Sequence, residues 1–137
     1  MKSILVLSLI FISYIAYSQE LNFKRDVIVW EVNKLTDTSS DSTITYRCQF
    51  ITDKSGIVKW LQEDGDFITK FKIQSSNGDW LDFSKDGART LAVTYLDKKG
   101  SIQLSGKDGV KLVKFEFIED GENTLPFIFH VSSISKL

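Results

Sequence analysis

The sequence predicts an all-β protein, an antiparallel meander of about nine strands that closes into a barrel. Six of the seven glycines from position 56 to position 109 stand alternately nine and thirteen positions apart, which makes a repeat of twenty-two residues: Gly56, Gly65, Gly78, Gly87, Gly100 and Gly109. Three of them belong to the pairs Asp64-Gly65, Asp86-Gly87 and Asp108-Gly109, and tight two-residue hairpin turns favour the Asp-Gly pair. Apolar and polar residues alternate between these turns, as in strands with one buried face. We therefore expect a train of β-hairpins.

The first eighteen residues predict a signal peptide. Lys2 precedes an apolar run over residues 4–16, and the small residues Ala16 and Ser18 fit the site that a signal peptidase cleaves. The run is shorter than the roughly 20 residues of a membrane-spanning helix. We therefore expect export to a periplasm or to the outside of the cell, with no membrane span after cleavage; an uncleaved anchor is the alternative. The remaining residues 19–137 have the size of a single domain.

Charge and cysteine content limit the partners and the means of stabilisation. The chain has 17 basic and 18 acidic residues, and removal of Lys2 with the signal peptide leaves 16 against 18, a net charge near −2. No basic cluster is longer than Lys98-Lys99, so nucleic acid is not an expected partner. Cys48 is the single cysteine and cannot form an internal disulfide. The hydrophobic core and the strand ladder must therefore stabilise the domain.

Two strands precede the repeat, since residues 28–32 and 44–50 each alternate apolar with polar side chains. The polar residues 36–42 form the loop between them. One further strand follows the repeat at residues 125–131, after a loop at 120–123. Pro126 lacks an N–H and therefore belongs at the start or on an edge of that strand.

Each two-residue turn fixes which residues face each other. Asn77-Gly78 and Lys99-Gly100 are also predicted to be turns, and the second places Tyr95 beside Ile102 and Leu104. The pairs predicted around the three Asp-Gly turns are Val58 with Phe71, Trp60 with Thr69 and Leu61 with Ile68; Trp80 with Val93 and Asp82 with Leu91; and Ile102 with Phe115 and Leu104 with Val113. One face of the sheet is then almost wholly apolar.

Nine sequential antiparallel strands must curl to bury this face, and their simple connectivity favours an up-and-down barrel over a Greek-key sandwich. The connectivity resembles that of the calycins, the lipocalin and fatty-acid-binding group. The resemblance is limited to connectivity, because Trp30 lacks the preceding glycine of the lipocalin entry motif and the triplet Gly78-Asp79-Trp80 lies mid-chain instead. No family is assigned from it.

The leading functional hypothesis is a non-enzymatic barrel that binds a small, mostly apolar ligand in its interior. The predicted register places Asp82 on the apolar face, with Arg89 as a diagonal neighbour within reach of a long side chain. These two residues would anchor the polar end of the ligand, and Trp60, Trp80 and Tyr95 would form the walls of the cavity. The alternatives are an ion pair at the barrel mouth with no ligand, and a barrel packed solid by its own side chains.

The second hypothesis is a protein-interaction or accessory module that acts through its outer surface. Leu61, Ile68, Leu81 and Phe83 are predicted to form an outward apolar patch among Lys59, Lys70 and Lys72, and such patches mark partner or homodimer surfaces. A sandwich layer that covers these residues is the alternative.

The remaining reactive residues predict no chemistry. His130 has no cysteine or second histidine to complete a metal site. Cys48 lies in a row of inward residues, so a buried inert thiol is expected. The acidic turns at 63–66 and 119–122 lack the oxygen spacing of a calcium loop. No metal, cofactor or catalytic residue is therefore expected.

Overall fold

The computed structural model describes residues 26–137, which form a closed barrel of eight antiparallel strands. The signal peptide predicted at residues 1–18 lies outside the described residues. The strand order around the barrel is β1-β10-β7-β6-β5-β4-β3-β2, and β8 and β9 form a separate hairpin. The strands are β1 (Ile28–Asp37), β2 (Ser42–Thr52), β3 (Ile57–Gln62), β4 (Phe67–Asn77), β5 (Gly87–Tyr95), β6 (Lys98–Lys107), β7 (Val110–Glu116), β8 (Ile118–Glu119), β9 (Glu122–Asn123) and β10 (Phe127–Lys136).

The up-and-down barrel predicted from the sequence is confirmed. Neighbouring strands in the sequence pair with each other, and the closing contact joins β1 to β10 from Ile28↔Lys136 to Asp37↔Phe127. The register predicted around Asp64-Gly65 and Asp108-Gly109 is also confirmed, with Trp60 opposite Thr69 and Leu104 opposite Val113. At these two turns, the Asp-Gly pair and the apolar alternation point to the same register.

The hairpin predicted around Asp86-Gly87 is wrong, which is why the barrel has eight strands and not nine. Residues 78–86 form a loop between β4 and β5, and Leu91 and Val93 pair with Ser76 and Ile73 instead of Asp82 and Trp80. The predicted register would have placed the Asp82 carboxylate inside the apolar barrel, where burial of a charge is costly. Gly78 begins the loop with a φ of +106°.

The turn predicted at Lys99-Gly100 lies three residues earlier. Leu96 and Asp97 both have positive φ, so Tyr95 pairs with Lys98 and not with Ile102 or Leu104. Gly100 lies within β6 on the inner face, where a Cβ would come within 2.6 Å of the Phe117 ring. This glycine provides space for an aromatic ring and makes no turn.

The core fills the barrel interior and is continuous from one end to the other. Its largest fully buried side chains are aromatic, and the centroids of the Phe115 and Phe129 rings are 5.2 Å apart. Burial of each such side chain contributes about 2 kcal/mol or more to folding. The fully buried aromatic residues are Trp30, Phe50, Phe71, Phe115 and Phe129.

The side chain of Asn123 links the β8–β9 hairpin to the end of β7. Asn123 Oδ1 accepts hydrogen bonds from the backbone N–H groups of Phe117 and Leu125, each at 3.1 Å. Its Nδ2 donates to the Phe115 carbonyl at 3.1 Å. Asn123 thereby provides partners for three backbone groups where β7 ends, and it holds Phe117 over Gly100.

We expect Asn123→Ala to lower the free energy of unfolding by about 2 kcal/mol, because three backbone groups lose their partner. Asn123→Asp keeps the acceptor oxygen and should lose roughly half as much. Urea unfolding of the three proteins measures the difference. Equal stability of Asn123→Ala and the wild type would contradict this role of Asn123.

Candidate functional site

The middle of the barrel is filled by aromatic rings, and two residues that were predicted to line a cavity, Trp60 and Tyr95, pack against them. Trp60 stacks on Phe50 at a centroid distance of 6.0 Å and meets Phe129 edge-on at 5.4 Å. Tyr95 is half-buried and packs on Phe71 at 5.4 Å. Side chains of the protein itself thus occupy the position in which the sequence predicted a ligand.

One mouth of the barrel is closed by the 78–86 loop, which inserts two aromatic rings. Trp80 and Phe83 are 3% and 4% exposed although they lie on a loop, and their ring centroids are 4.7 Å apart. Both rings contact Trp30, at 6.0 Å and 4.9 Å. Since β1 and β5 lie on opposite sides of the eight-strand order, these rings span the mouth.

Two paired glycines form the floor on which Trp80 lies. Gly87 and Gly106 are register partners on β5 and β6. A Cβ at Gly106 would lie 2.5 Å from the Trp80 ring, and one at Gly87 would also overlap the ring. The indole Nε1 donates to the Lys85 carbonyl at 2.9 Å. Trp80 therefore requires both glycines for its place in the mouth.

The two predicted polar anchors lie in different parts of the fold. Asp82 is in the 78–86 loop, where its Oδ1 accepts from Ser84 N at 3.0 Å and from Ser84 Oγ at 2.5 Å, and its placement on the inner face of a strand was wrong. Arg89 does lie on the inner face, 8% exposed, and its Nη1 donates to Ser76 Oγ at 2.8 Å. Burial lowers the pKa of Arg89, and the nearby Asp79 charge partly offsets this effect.

The predicted outer patch divides into two parts. Leu61 and Ile68 are register partners on β3 and β4, as expected, with Ile68 53% exposed. Leu81 is exposed on the 78–86 loop at the opposite end of the barrel, and Phe83 is buried in the mouth. A patch that contains all four residues is therefore wrong, because it depended on a strand at residues 79–84.

A notch lies beside the first half of β4. Pairing between β4 and β5 ends at Lys72↔Thr94, so Phe67–Phe71 have a strand neighbour only on the β3 side within the described residues. A groove of about 590 Å³ lies here, and Ile57, Ile68, Lys70, Lys72 and Leu96 are among the residues that line it. We call the Phe67–Phe71 edge and these lining residues the β4 notch.

The β4 notch combines apolar side chains with two lysines and one acidic residue, Asp97. Leu96, at the tight turn, is 76% exposed, and Ile68 is more than half exposed. Lys70 and Lys72 are exposed between them. The sequence predicts Ile68 and the lysines on the outer surface, but it places Leu96 in a strand and not at a turn. The turn has no recognisable sequence signal, because Leu96 and Asp97 have positive φ and Leu rarely adopts this conformation.

A second groove of about 560 Å³ lies where β1 departs from regular pairing. The register between β1 and both of its neighbours shifts between Val32 and Lys34. Polar groups in this groove bond one another: Gln49 Nε2 donates to Glu31 Oε1 at 2.5 Å, and Ser132 Oγ donates to the Glu31 carbonyl at 3.2 Å. These contacts hold Glu31, Gln49 and Ser132 against one another.

The isolated reactive groups are held in unreactive settings. Cys48 is 6% exposed, and burial raises the pKa of its thiol to about 12. His130 Nε2 forms a hydrogen bond of 2.8 Å with Thr36 Oγ1. Within residues 26–137, no three His, Cys, Asp or Glu side chains are grouped as metal ligands, and no helix is long and apolar enough to cross a membrane.

Comparisons with protein-family models, with curated proteins and with solved structures each gave no match.

We expect Gly106→Ala to displace Trp80 from the mouth, because the added methyl group overlaps the ring. The predicted loss of stability is about 2 kcal/mol, within the range for overpacked cores. Ser105→Ala changes the neighbouring, outward residue and should have little effect. Thermal unfolding and the indole N–H signal of Trp80 measure the change, and an unmoved Trp80 signal in Gly106→Ala would contradict this packing.

The Cys48 thiol should resist modification in the folded protein. At about pH 8, a pKa of about 12 leaves roughly one thiol in ten thousand ionised, and the thiolate is the reactive form. Reaction with Ellman's reagent should therefore be at least about a hundredfold slower in the folded protein than in concentrated guanidinium. Similar rates in both conditions would show that Cys48 is accessible and ionised.

Proposed function

We propose that the protein is a protein-binding module that acts through the β4 notch. Its partner is an extended acidic segment that carries aliphatic side chains. The observation that carries this proposal is the edge of β4. Strand pairing between β4 and β5 ends at Lys72, and exposed apolar and basic side chains border the unpaired residues Phe67–Phe71.

An unpaired strand edge favours a partner that adds a strand. Alternate residues of Phe67–Phe71 direct their backbone N–H and C=O groups toward the side on which β5 has ended, and an extended segment can hydrogen-bond to them. The segment would lie in line with β5, beyond the turn at Leu96 and Asp97. Such additions obtain affinity from the main chain and specificity from alternate side chains.

The side chains of the notch determine the kind of segment. Ile57 and Ile68 offer apolar contacts on the outer face, and Leu96 offers a third at the turn. Lys70 and Lys72 favour a partner with carboxylates, although the chain as a whole has a net charge of −1. An alternation of aliphatic and acidic residues therefore matches the notch.

Because the interior is filled, a binding surface on the outside of the barrel is favoured over a ligand cavity at its centre. Trp60 and the phenylalanines around it pack their rings against one another. Export, expected from residues 1–18, would place the partner in the periplasm or outside the cell. This module corresponds to the second of the two sequence hypotheses, with the surface redefined.

The test uses a fluorescent ten-residue peptide in which Val alternates with Glu, together with a counterpart in which Lys replaces Glu. We expect the acidic peptide to bind the wild type with an affinity that falls as salt rises, and to protect the amides of residues 67–71 from hydrogen exchange. The basic peptide should not bind. Equal binding of both peptides, or protection elsewhere, would contradict the proposal.

Matched variants separate the β4 notch from the rest of the surface. Ile68→Lys and Lys70→Glu should each weaken peptide binding about tenfold, which corresponds to roughly 1.4 kcal/mol. Val110→Lys and Lys114→Glu replace an aliphatic residue by Lys and a Lys by Glu at exposed positions on β7, and they should leave binding unchanged. If the β7 variants weaken binding equally, general surface charge and not the notch accounts for it.

A further inference from the structure

The mouth of the barrel that the 78–86 loop closes is built from two separate parts, a floor and a ring that lies on it. The floor of the mouth belongs to the barrel, since it consists of Gly87 and Gly106 at the ends of β5 and β6. The ring that lies on it belongs to a loop outside the strand ladder. Removal of this ring would leave a flat slot in the barrel of the size and shape of an indole.

Two polar atoms in the mouth have no hydrogen-bond partner within the described residues. Trp30 Nε1 and Thr52 Oγ1 are buried, and the two residues are 1% exposed. Thr52 pairs with Ile28, so Trp30 is its diagonal neighbour on the inner face of β1 and β2. Both residues thus lie at one corner of the mouth, and the Trp30 ring is in contact with Trp80 and Phe83. Buried groups of this kind are rare in native proteins and call for an explanation.

We propose that the mouth beneath the 78–86 loop is a binding site for a small planar aromatic molecule that carries a carboxylate or a comparable hydrogen-bond acceptor. Trp80 occupies this site when the ligand is absent. The aromatic ring of the ligand lies on Gly87 and Gly106, and its acceptor meets the Trp30 and Thr52 donors. The proposal is independent of the β4 notch.

The charge around the mouth favours an acidic ligand over a neutral one. Arg89 is the next inward residue of β5 after Gly87, and its guanidinium is mostly removed from water. Its positive charge, which is bonded to Ser76 and lies near Asp79, adds a further attraction for an aromatic carboxylate. The ligand ring would bury about the same apolar area on Gly87 and Gly106 as the Trp80 ring that it displaces. The polar contacts of the ligand must therefore provide the free energy that favours it over Trp80.

Hydrogen bonds within the 78–86 loop fix its shape. Asp82 accepts from Ser84, and Lys85 N donates to the Asp82 carbonyl at 3.1 Å. These contacts are internal to the loop and can move with it. At the end of the loop, Asp108 N donates to Asp86 Oδ1 at 3.0 Å. This bond holds the last residue of the loop on the β6–β7 turn.

The test follows the indole N–H signals of the three tryptophans, Trp30, Trp60 and Trp80, by NMR as indole-3-acetate is added. This probe has the ring of Trp80 and a carboxylate. We expect the Trp80 signal to lose the shift caused by its bond to Lys85, and the Trp30 signal to move downfield on gaining an acceptor. 3-Methylindole, which lacks the carboxylate, should bind at least about tenfold more weakly.

A substitution at Thr52 should stabilise the free protein and at the same time weaken ligand binding. Thr52→Val should raise the melting temperature of the free protein, because it removes a buried hydroxyl without a partner, and should weaken binding of indole-3-acetate about tenfold. Thr52→Ser keeps the hydroxyl and should retain binding. Thr90→Val is the matched control on the outer face of β5 and should change neither binding nor the indole signals.

Three results would overturn the proposal. The first is that millimolar indole-3-acetate leaves the Trp30 and Trp80 signals of the wild-type protein unmoved. The second is that 3-methylindole binds as tightly as indole-3-acetate, which would indicate an apolar crevice without recognition of the acceptor. The third is that Thr52→Val binds as the wild type does.

Discussion

The interior of an eight-stranded barrel must be filled, and the aromatic side chains that fill it determine most of this structure. At this size a barrel is just wide enough for side chains from all strands to meet at its centre. Phe50, Phe71, Phe115 and Phe129 meet there, with Trp60 among them. The ends are a separate problem, because strand residues there do not reach across. Trp80 and Phe83 close one mouth from a loop, and Phe117 covers Gly100 toward the other.

This requirement explains why only part of the glycine repeat marks turns. Gly65 and Gly109 follow aspartates in tight turns with positive φ, as the sequence predicts. Gly87 and Gly100 have the same spacing but lie on the inner face, where they make room for Trp80 and Phe117. A glycine that permits a turn and a glycine that accommodates a ring look alike in a sequence. The difference is set by tertiary packing, which the alternation of residues does not encode.

Strand alternation therefore predicted the fold class and the inner-face residues well, including Arg89 and Trp60, but not where each strand ends. The β4 notch is a consequence of strand ends: β4 continues past the last pair with β5 because the turn lies at Leu96 and Asp97. The error at residues 79–84 has the same origin, and it placed Asp82 in the barrel wall and Phe83 on the outer surface. Both candidate sites lie where the regular ladder stops, and the hydrophobic period carries no information there.

The 78–86 loop closes the barrel by seating Trp80 on Gly87 and Gly106, and it does not pair with β5 as a strand. Nuclear Overhauser contacts of the Trp80 ring protons test this arrangement most directly. We expect strong contacts to the Hα protons of Gly87 and Gly106, with those protons shifted upfield by the ring. Contacts from Trp80 to Val93, with Asp82 opposite Leu91, would instead show a ninth strand in the barrel wall.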